Sequence, residues 1–160
     1  MKRLMKTSTA FLVSLWLGHS QANEVEAGAI EMKVYKSETC GCCIHWMDHL
    51  ETNNFATTAY HPRDLGGLKG ALGITPAMQS CHTGMVDDQY VFEGHVPAKH
   101  IKAFLANPPK GAIGLSVPGM PVGSPGMEVG GRFDPYTVVQ INADGSTTPF
   151  ARVTAPDDQY

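Results

Sequence analysis

The stretch Ile30-Glu31-Met32-Lys33-Val34-Tyr35-Lys36-Ser37-Glu38-Thr39-Cys40-Gly41-Cys42-Cys43-Ile44-His45-Trp46-Met47-Asp48-His49-Leu50 changes its periodicity at the cysteines. From Ile30 to Tyr35 apolar and polar residues alternate, as in a half-buried strand. Ser37 to Cys43 is a polar turn containing a glycine. Beyond it Cys43, Trp46, Met47 and Leu50 recur at spacings of three and four, so they share one face of a helix. The spacing predicts a helix over residues 43–53, stopped by Asn53-Asn54. Three thiols within four residues, at a strand–helix junction, exceed what packing needs. They point to thiolate chemistry, either soft-metal binding or disulfide exchange.

Outward from this junction, residues 56–60 read as a second strand, and Asp64 is placed to cap a short helix reaching Leu72. Gly66, Gly67 and Gly70 weaken that helix. Gly73-Ile74-Thr75-Pro76 is a break. Residues 77–86 read as a strand carrying Cys81, with a hairpin partner at Tyr90–Glu93 across Asp87-Asp88. Pro97 suits the first turn of a helix reaching Leu105. The order β-α-β-α-β-β-α, with thiols between the first strand and first helix, is the layout of a thioredoxin-like α/β domain, a mixed sheet flanked by helices. Cys40 and Cys43 form the C-x-x-C pair and Cys42 is an extra thiol. Thr75-Pro76 falls where such folds place a cis-proline, and the sequence leaves its isomer open.

The ends divide the chain into three expected parts. Residues 1–22 read as a secretory signal peptide: Lys2, Arg3 and Lys6 precede a short apolar run from Ala10 to Leu17, and Ser20-Gln21-Ala22 offers small residues for cleavage. That run is too short to span a bilayer. Residues 23–107 form the thioredoxin-like core. Residues 108–160 form a Gly/Pro/Met loop and C-terminal strands packed on the same domain. The loop, residues 108–131, is too rich in glycine and proline for regular helix or central strand. Tyr136 to Ile141 reads as a strand followed by an Asn142-Ala143-Asp144-Gly145 hairpin turn, and the tail after Val153 reads as frayed.

Cleavage takes the formal charge from −3 to −6. With no basic patch and no basic amphipathic helix, the composition excludes nucleic acid and anionic membrane as partners, and no membrane insertion is expected after cleavage. Export permits disulfides. A purely structural framework would spread its cysteines along the chain, and a ring closed by adjacent Cys42 and Cys43 would be strained.

If the fold is right, Cys81 on the third strand lies near the helix end that carries Cys40, Cys42 and Cys43, forming a nest of four sulfurs. The helix dipole should make Cys42 and Cys43 the most acidic thiols. Soft donors favour Cu(I), Zn(II) or iron–sulfur clusters. Cys42 and Cys43 are adjacent with diverging side chains, so one tetrahedral ion is hard to wrap with all four thiolates. One Cu(I) would also leave excess negative charge in a partly buried site. Several Cu(I) ions sharing bridging sulfurs fit better, so the expectation is a polynuclear Cu(I) site. His82 adjoins Cys81, but neighbours on a strand point to opposite faces. It is either a ligand at a twisted strand end or a hydrogen-bonded histidine on the far face. His95, just before a helix, is read as structural. His45 and His49 share a helix face at a spacing compatible with metal, although that face reads as solvated. Met120 and Met127 are thioether donors suited to Cu(I), or ordinary gap-fillers. A zinc or stress-sensor module without catalysis is a further reading of the same thiols.

At these motifs the chain resembles the small exported CopG-like proteins linked to bacterial copper resistance, long known only as a domain of unknown function. The matching motifs are Cys40-Gly41-Cys42-Cys43 with Trp46, Ser80-Cys81-His82-Thr83, Glu93-Gly94-His95-Val96-Pro97, Val117-Pro118-Gly119-Met120-Pro121 and Gly123-Ser124-Pro125-Gly126-Met127-Glu128. The resemblance implies a thioredoxin-like fold in the periplasm, with copper bound through Cys40, Cys42, Cys43, Cys81 and His82. It makes Met120 and Met127 candidate ligands. It also implies a redox role in copper handling, that of a copper oxidoreductase interconverting Cu(I) and Cu(II), with other periplasmic copper-handling proteins as partners. The competing expectation is a thiol–disulfide oxidoreductase acting on exported proteins, with Cys40 as nucleophile and Cys43 as resolving thiol.

Overall fold

The computed structural model describes residues 28–160, so the proposed signal peptide lies outside the described residues. Strand β1 (Ile30–Tyr35) leads through the thiol turn into helix α1 (Gly41–Glu51). Strand β2 (Phe55–Tyr60), helix α2 (Leu65–Ala71), strands β3 (Thr83–Val86) and β4 (Tyr90–Glu93) and helix α3 (Ala98–Ala106) follow. Strands β5 (Ala112–Ser116), β6 (Tyr136–Asn142) and β7 (Thr147–Val153) complete one seven-stranded mixed sheet in the order β2-β1-β3-β4-β5-β6-β7. β1 pairs parallel with β2 and antiparallel with β3, the β3–β4 hairpin is antiparallel, and β4 pairs parallel with β5 through α3. This is the thioredoxin-like α/β architecture, extended at one edge by the β6–β7 hairpin.

Alternation along the central strands sends side chains into two cores. One face buries Met32, Val34 and Phe92 against Trp46 and Leu50 of α1 and Ile101 and Phe104 of α3. The other buries Met85, Val91 and Ile141 against Ile74, with Leu72 and Met78 packed on it. Helix α1 fits because Cys43, Trp46 and Leu50 form its buried stripe. In α2, the Asp64 carboxylate accepts the Gly67 N–H at 2.8 Å, a side-chain cap that compensates for a glycine-rich helix.

Three differences from the sequence reading have physical causes. The strand expected over residues 77–86 is shorter. Pro76–Met78 form a 3₁₀ turn, and β3 begins only at Thr83, which leaves Cys81 and His82 in irregular chain. The Thr75-Pro76 bond, whose isomer the sequence left open, is trans, since no described peptide bond is cis. The stretch 108–131 contains a strand, β5, that its glycine obscured. A Cβ on Gly114 would lie 1.7 Å from the Val91 carbonyl oxygen, so glycine is what lets β5 approach β4. The tail is docked, not frayed. Tyr136 donates its hydroxyl to Gln159 Oε1 at 2.5 Å, and Gln159 Nε2 donates to the Gly123 carbonyl at 3.0 Å.

Candidate metal centre

The centre forms where the first turn of α1 meets the irregular segment before β3. Cys40 occupies the N-cap position of α1, which places Cys42 and Cys43 in its first turn. Cys40 and Cys43 form a disulfide with their Cα atoms 5.4 Å apart, while Cys42 and Cys81 are free and half-buried. Cys42 Sγ lies 3.6 Å from Cys40 Sγ and 4.0 Å from Cys81 Sγ. All four sulfurs lie within 4.8 Å of one another. The nest of four sulfurs therefore exists with one pair oxidised. Cys43 is in the disulfide and does not titrate, so the expected acidity is not available to it in this state.

Cys81 also belongs to a second donor group, with His82 and His95. Cys81 Sγ lies 3.1 Å from His82 Nδ1 and 3.3 Å from His95 Nε2. His82 is fully buried, its ring 4.2 Å from the Trp46 ring and 4.9 Å from that of His95. Its Nε2 is buried without a hydrogen-bond partner among the described residues. His95 Nδ1 donates to the Pro125 carbonyl at 2.8 Å, and because a carbonyl only accepts, the Nε2 lone pair faces the sulfur. Burial lowers both histidines' pKa values, with the neighbouring imidazole of His95 adding to the effect at His82, so both rings stand neutral. Burial, followed by the repulsion of Cys42, pushes the Cys81 thiol up to about 11. A metal held by this sulfur would have to displace its proton. Soft sulfur with neutral imidazole suits copper.

His82 faces Cys81 because neither residue is in the strand, so strand alternation does not separate them. His95 binds backbone through the Pro125 carbonyl, as its structural reading expects, and it also faces Cys81, which that reading did not foresee. The β3–β4 register pairs Thr83 with Glu93, and continuing it by two residues sets Cys81 opposite His95. Counting outward from the Asp87-Asp88 turn is the signal that finds it. Glu93 and Lys69, a buried ion pair beside Ser80, were also missed.

The loop after β5 borders the centre. The Ser80 hydroxyl donates to the Gly119 carbonyl, next to Met120, which is 53% exposed. Gly126, with φ +83°, packs so closely on α1 that a Cβ there would lie 2.6 Å from Trp46 N and 2.8 Å from the Cys42 carbonyl oxygen. Half-buried Met127 follows it. His45 is exposed beside Asp48, whereas His49 Nε2 accepts the Ala98 N–H at 3.0 Å, so the two do not form a metal pair. His61 Nδ1 donates to the Lys36 carbonyl at 3.0 Å.

Fold and site together define a thioredoxin-like protein with a cysteine cluster capable of metal binding. Two solved structures match it, both described as "Copper resistance protein copG". Form 2 has 40% sequence identity and a TM-score of 0.74 over 79% of this chain and 99% of that one. Form 1 has 41% identity and a TM-score of 0.73 over 78% and 98%. A family described as "Protein of unknown function, DUF411" matches residues 78–127. No curated protein sequence matches the chain. The chain belongs to the CopG family of copper resistance proteins.

Proposed function

We propose that this chain is a periplasmic protein that sequesters Cu(I) and uses its thiols to interconvert Cu(I) and Cu(II). One observation carries the reading: four sulfurs within 4.8 Å of one another, with two imidazole nitrogens converging on Cys81. Cys40, Cys42, Cys43, Cys81, His82 and His95 are the proposed donors, with Met120 and Met127 as thioethers from the bordering loop. The resemblance of residues 1–22 to a signal peptide supports the periplasmic location. Metal would arrive from and pass to other copper-handling proteins of that compartment.

The redox step balances on the Cys40/Cys43 couple. When the two thiolates join in an S–S bond they release two electrons, which reduce two Cu(II) to two Cu(I). In reverse, two Cu(I) give one electron each, the S–S bond breaks, and two thiolates appear. The disulfide state offers two free thiols and two imidazoles. Reduction adds two thiolates, so copper capacity rises with reduction, and several Cu(I) ions can share the bridging sulfurs.

Anaerobic Cu(I) titration against a chromophoric chelator tests this. Reduced protein should bind more than one copper per chain, the disulfide form fewer, and a Cys42→Ser/Cys81→Ser variant none competitively. A sharp endpoint at one copper would remove the polynuclear form, and failure to compete with the chelator would remove copper altogether.

The Cys40–Cys43 disulfide at the start of α1 favours a second reading, thiol–disulfide exchange on exported proteins, because Cys40 is the more exposed partner and Cys43 is fully buried. Full reductase activity in the Cys42→Ser/Cys81→Ser variant would favour the exchange enzyme.

A further inference from the structure

Cys81 and His82 adopt an arrangement that extended chain does not supply. Successive side chains of an extended segment point apart. Here, however, the thiol and imidazole of adjacent residues meet at 3.1 Å just ahead of β3, where one ladder bond persists, from the Gly94 N–H to the His82 carbonyl at 3.0 Å. The residues on either side explain it. The Ser80 N–H donates to Glu93 Oε1 at 2.6 Å, and the Thr83 hydroxyl donates to Glu93 Oε2 at 2.5 Å. One carboxylate thus brackets the Cys81-His82 dipeptide from both ends. Lys69, reaching from α2, donates to the same Glu93 oxygen and to the Ser80 carbonyl, the latter at 2.7 Å. With its hydroxyl on the Gly119 carbonyl, Ser80 is held at its N–H, its C=O and its side chain.

We propose that Glu93, held by Lys69, is a positioning residue of the metal centre, a staple that sets where the Cys81 sulfur and His82 nitrogen point. Glu93 belongs to neither donor group and is fully buried, as is Lys69 to within 3% of its side chain. A buried ion pair is a poor source of stability compared with apolar residues of the same volume, and its best-attested use is to fix a register. This one ties three segments together at the point where two donors must converge. The proposal deepens the copper reading and rests on it for the role of the centre, but the stapled geometry can be read without metal.

The test uses the oxidised chain carrying Cys42→Ser, in which Cys81 is the one free thiol. The rate of Cys81 alkylation by iodoacetamide is measured with and without Thr83→Val, Glu93→Gln and, as a core control, Ile141→Val. Cu(I) affinity is measured by chelator competition with the same three substitutions in an otherwise unaltered reduced chain. Thr83→Val keeps shape and the Lys69–Glu93 pair, so it remains decisive if Glu93→Gln fails to fold. Both staple variants should alter the alkylation rate several-fold and lower Cu(I) affinity about 10- to 100-fold. Ile141→Val should change neither, although it too lowers thermal stability. Alkylation rates within twofold of the parent for Thr83→Val and for any Glu93→Gln that folds would overturn the staple. A several-fold alkylation change in a chain that does not bind Cu(I) at all would support the staple and sink the copper reading.

Discussion

His95 Nδ1 donates to the Pro125 carbonyl at 2.8 Å while its Nε2 sits 3.3 Å from Cys81 Sγ. One ring therefore links the loop after β5 to the thiol that completes the sulfur nest. The loop sets the tautomer, and the tautomer leaves a lone pair directed at the site. Replacing His95 with Phe should keep the packing but remove both links. Cu(I) affinity should fall about tenfold or more in chelator competition, and the unpartnered Pro125 carbonyl should cost about 1–3 kcal/mol in urea denaturation.

Gly126→Ala should act on the same linkage from the loop side. The position has φ +83°, and the added Cβ would meet backbone atoms of Trp46 and Cys42. A stability loss of more than about 1 kcal/mol is expected. Lower Cu(I) affinity should accompany it, because the loop can no longer seat Pro125 on His95. Thermal melts of the apo protein and copper competition measure the two effects separately.

Trp46 supports the centre from beneath. Its Nε1–H donates to the Val96 carbonyl at 2.9 Å, and its ring lies 4.2 Å from that of fully buried His82. Trp46→Phe leaves that carbonyl buried and unpaired, so about 1–3 kcal/mol should be lost. Trp46→Ala should cost about 3–5 kcal/mol through its cavity. Equilibrium denaturation ranks the two.

The thiols should separate by reactivity. Oxidised, denatured protein should show the two free thiols of Cys42 and Cys81, and all four after reduction. In the native oxidised state Cys81, pushed up to about 11 chiefly by burial, is protonated at neutral pH and should react slowly with a chromogenic disulfide reagent. Its rate should climb as pH rises toward that value. Fast, pH-independent labelling of Cys81 would contradict the burial.

Acid should weaken the fold through histidine. Burial holds His49, His82, His95 and His100 below the ordinary 6.5. The unfolded chain then binds more protons than the native one below that value. The stability from keeping these rings neutral is complete above 6.5 and is lost as pH falls toward the depressed native values. Urea midpoints should therefore drop between about pH 7.5 and pH 5. His49 has a specific part in this, because its Nε2 accepts the Ala98 N–H at the start of α3, where Pro97 makes no side-chain cap. His49→Ala should cost about 0.5–2 kcal/mol, as loss of an N-cap does, and should flatten part of the acid dependence.

Local pattern was enough to read β1, the stripe of Cys43, Trp46 and Leu50, the Asp64 cap and the β3–β4 hairpin, because each is set by neighbours within a few residues. The order of those elements was enough for the thioredoxin-like fold, and the crowding of Cys40, Cys42 and Cys43 was enough to mark a cysteine cluster capable of metal binding. β5 escaped notice because its glycine answers to Val91 on another strand. His95 was read as structural because its two partners, Cys81 and Pro125, stand 14 and 30 residues away along the chain. The Glu93 staple was not visible at all, since a buried charge is recognised by what surrounds it and the surroundings come from α2 and the segment before β3. Which residues carry sulfur and nitrogen is a matter of composition. Which of those atoms meet is decided by strand register and by chain that folds back over the helix end, and these arise only when distant segments pack.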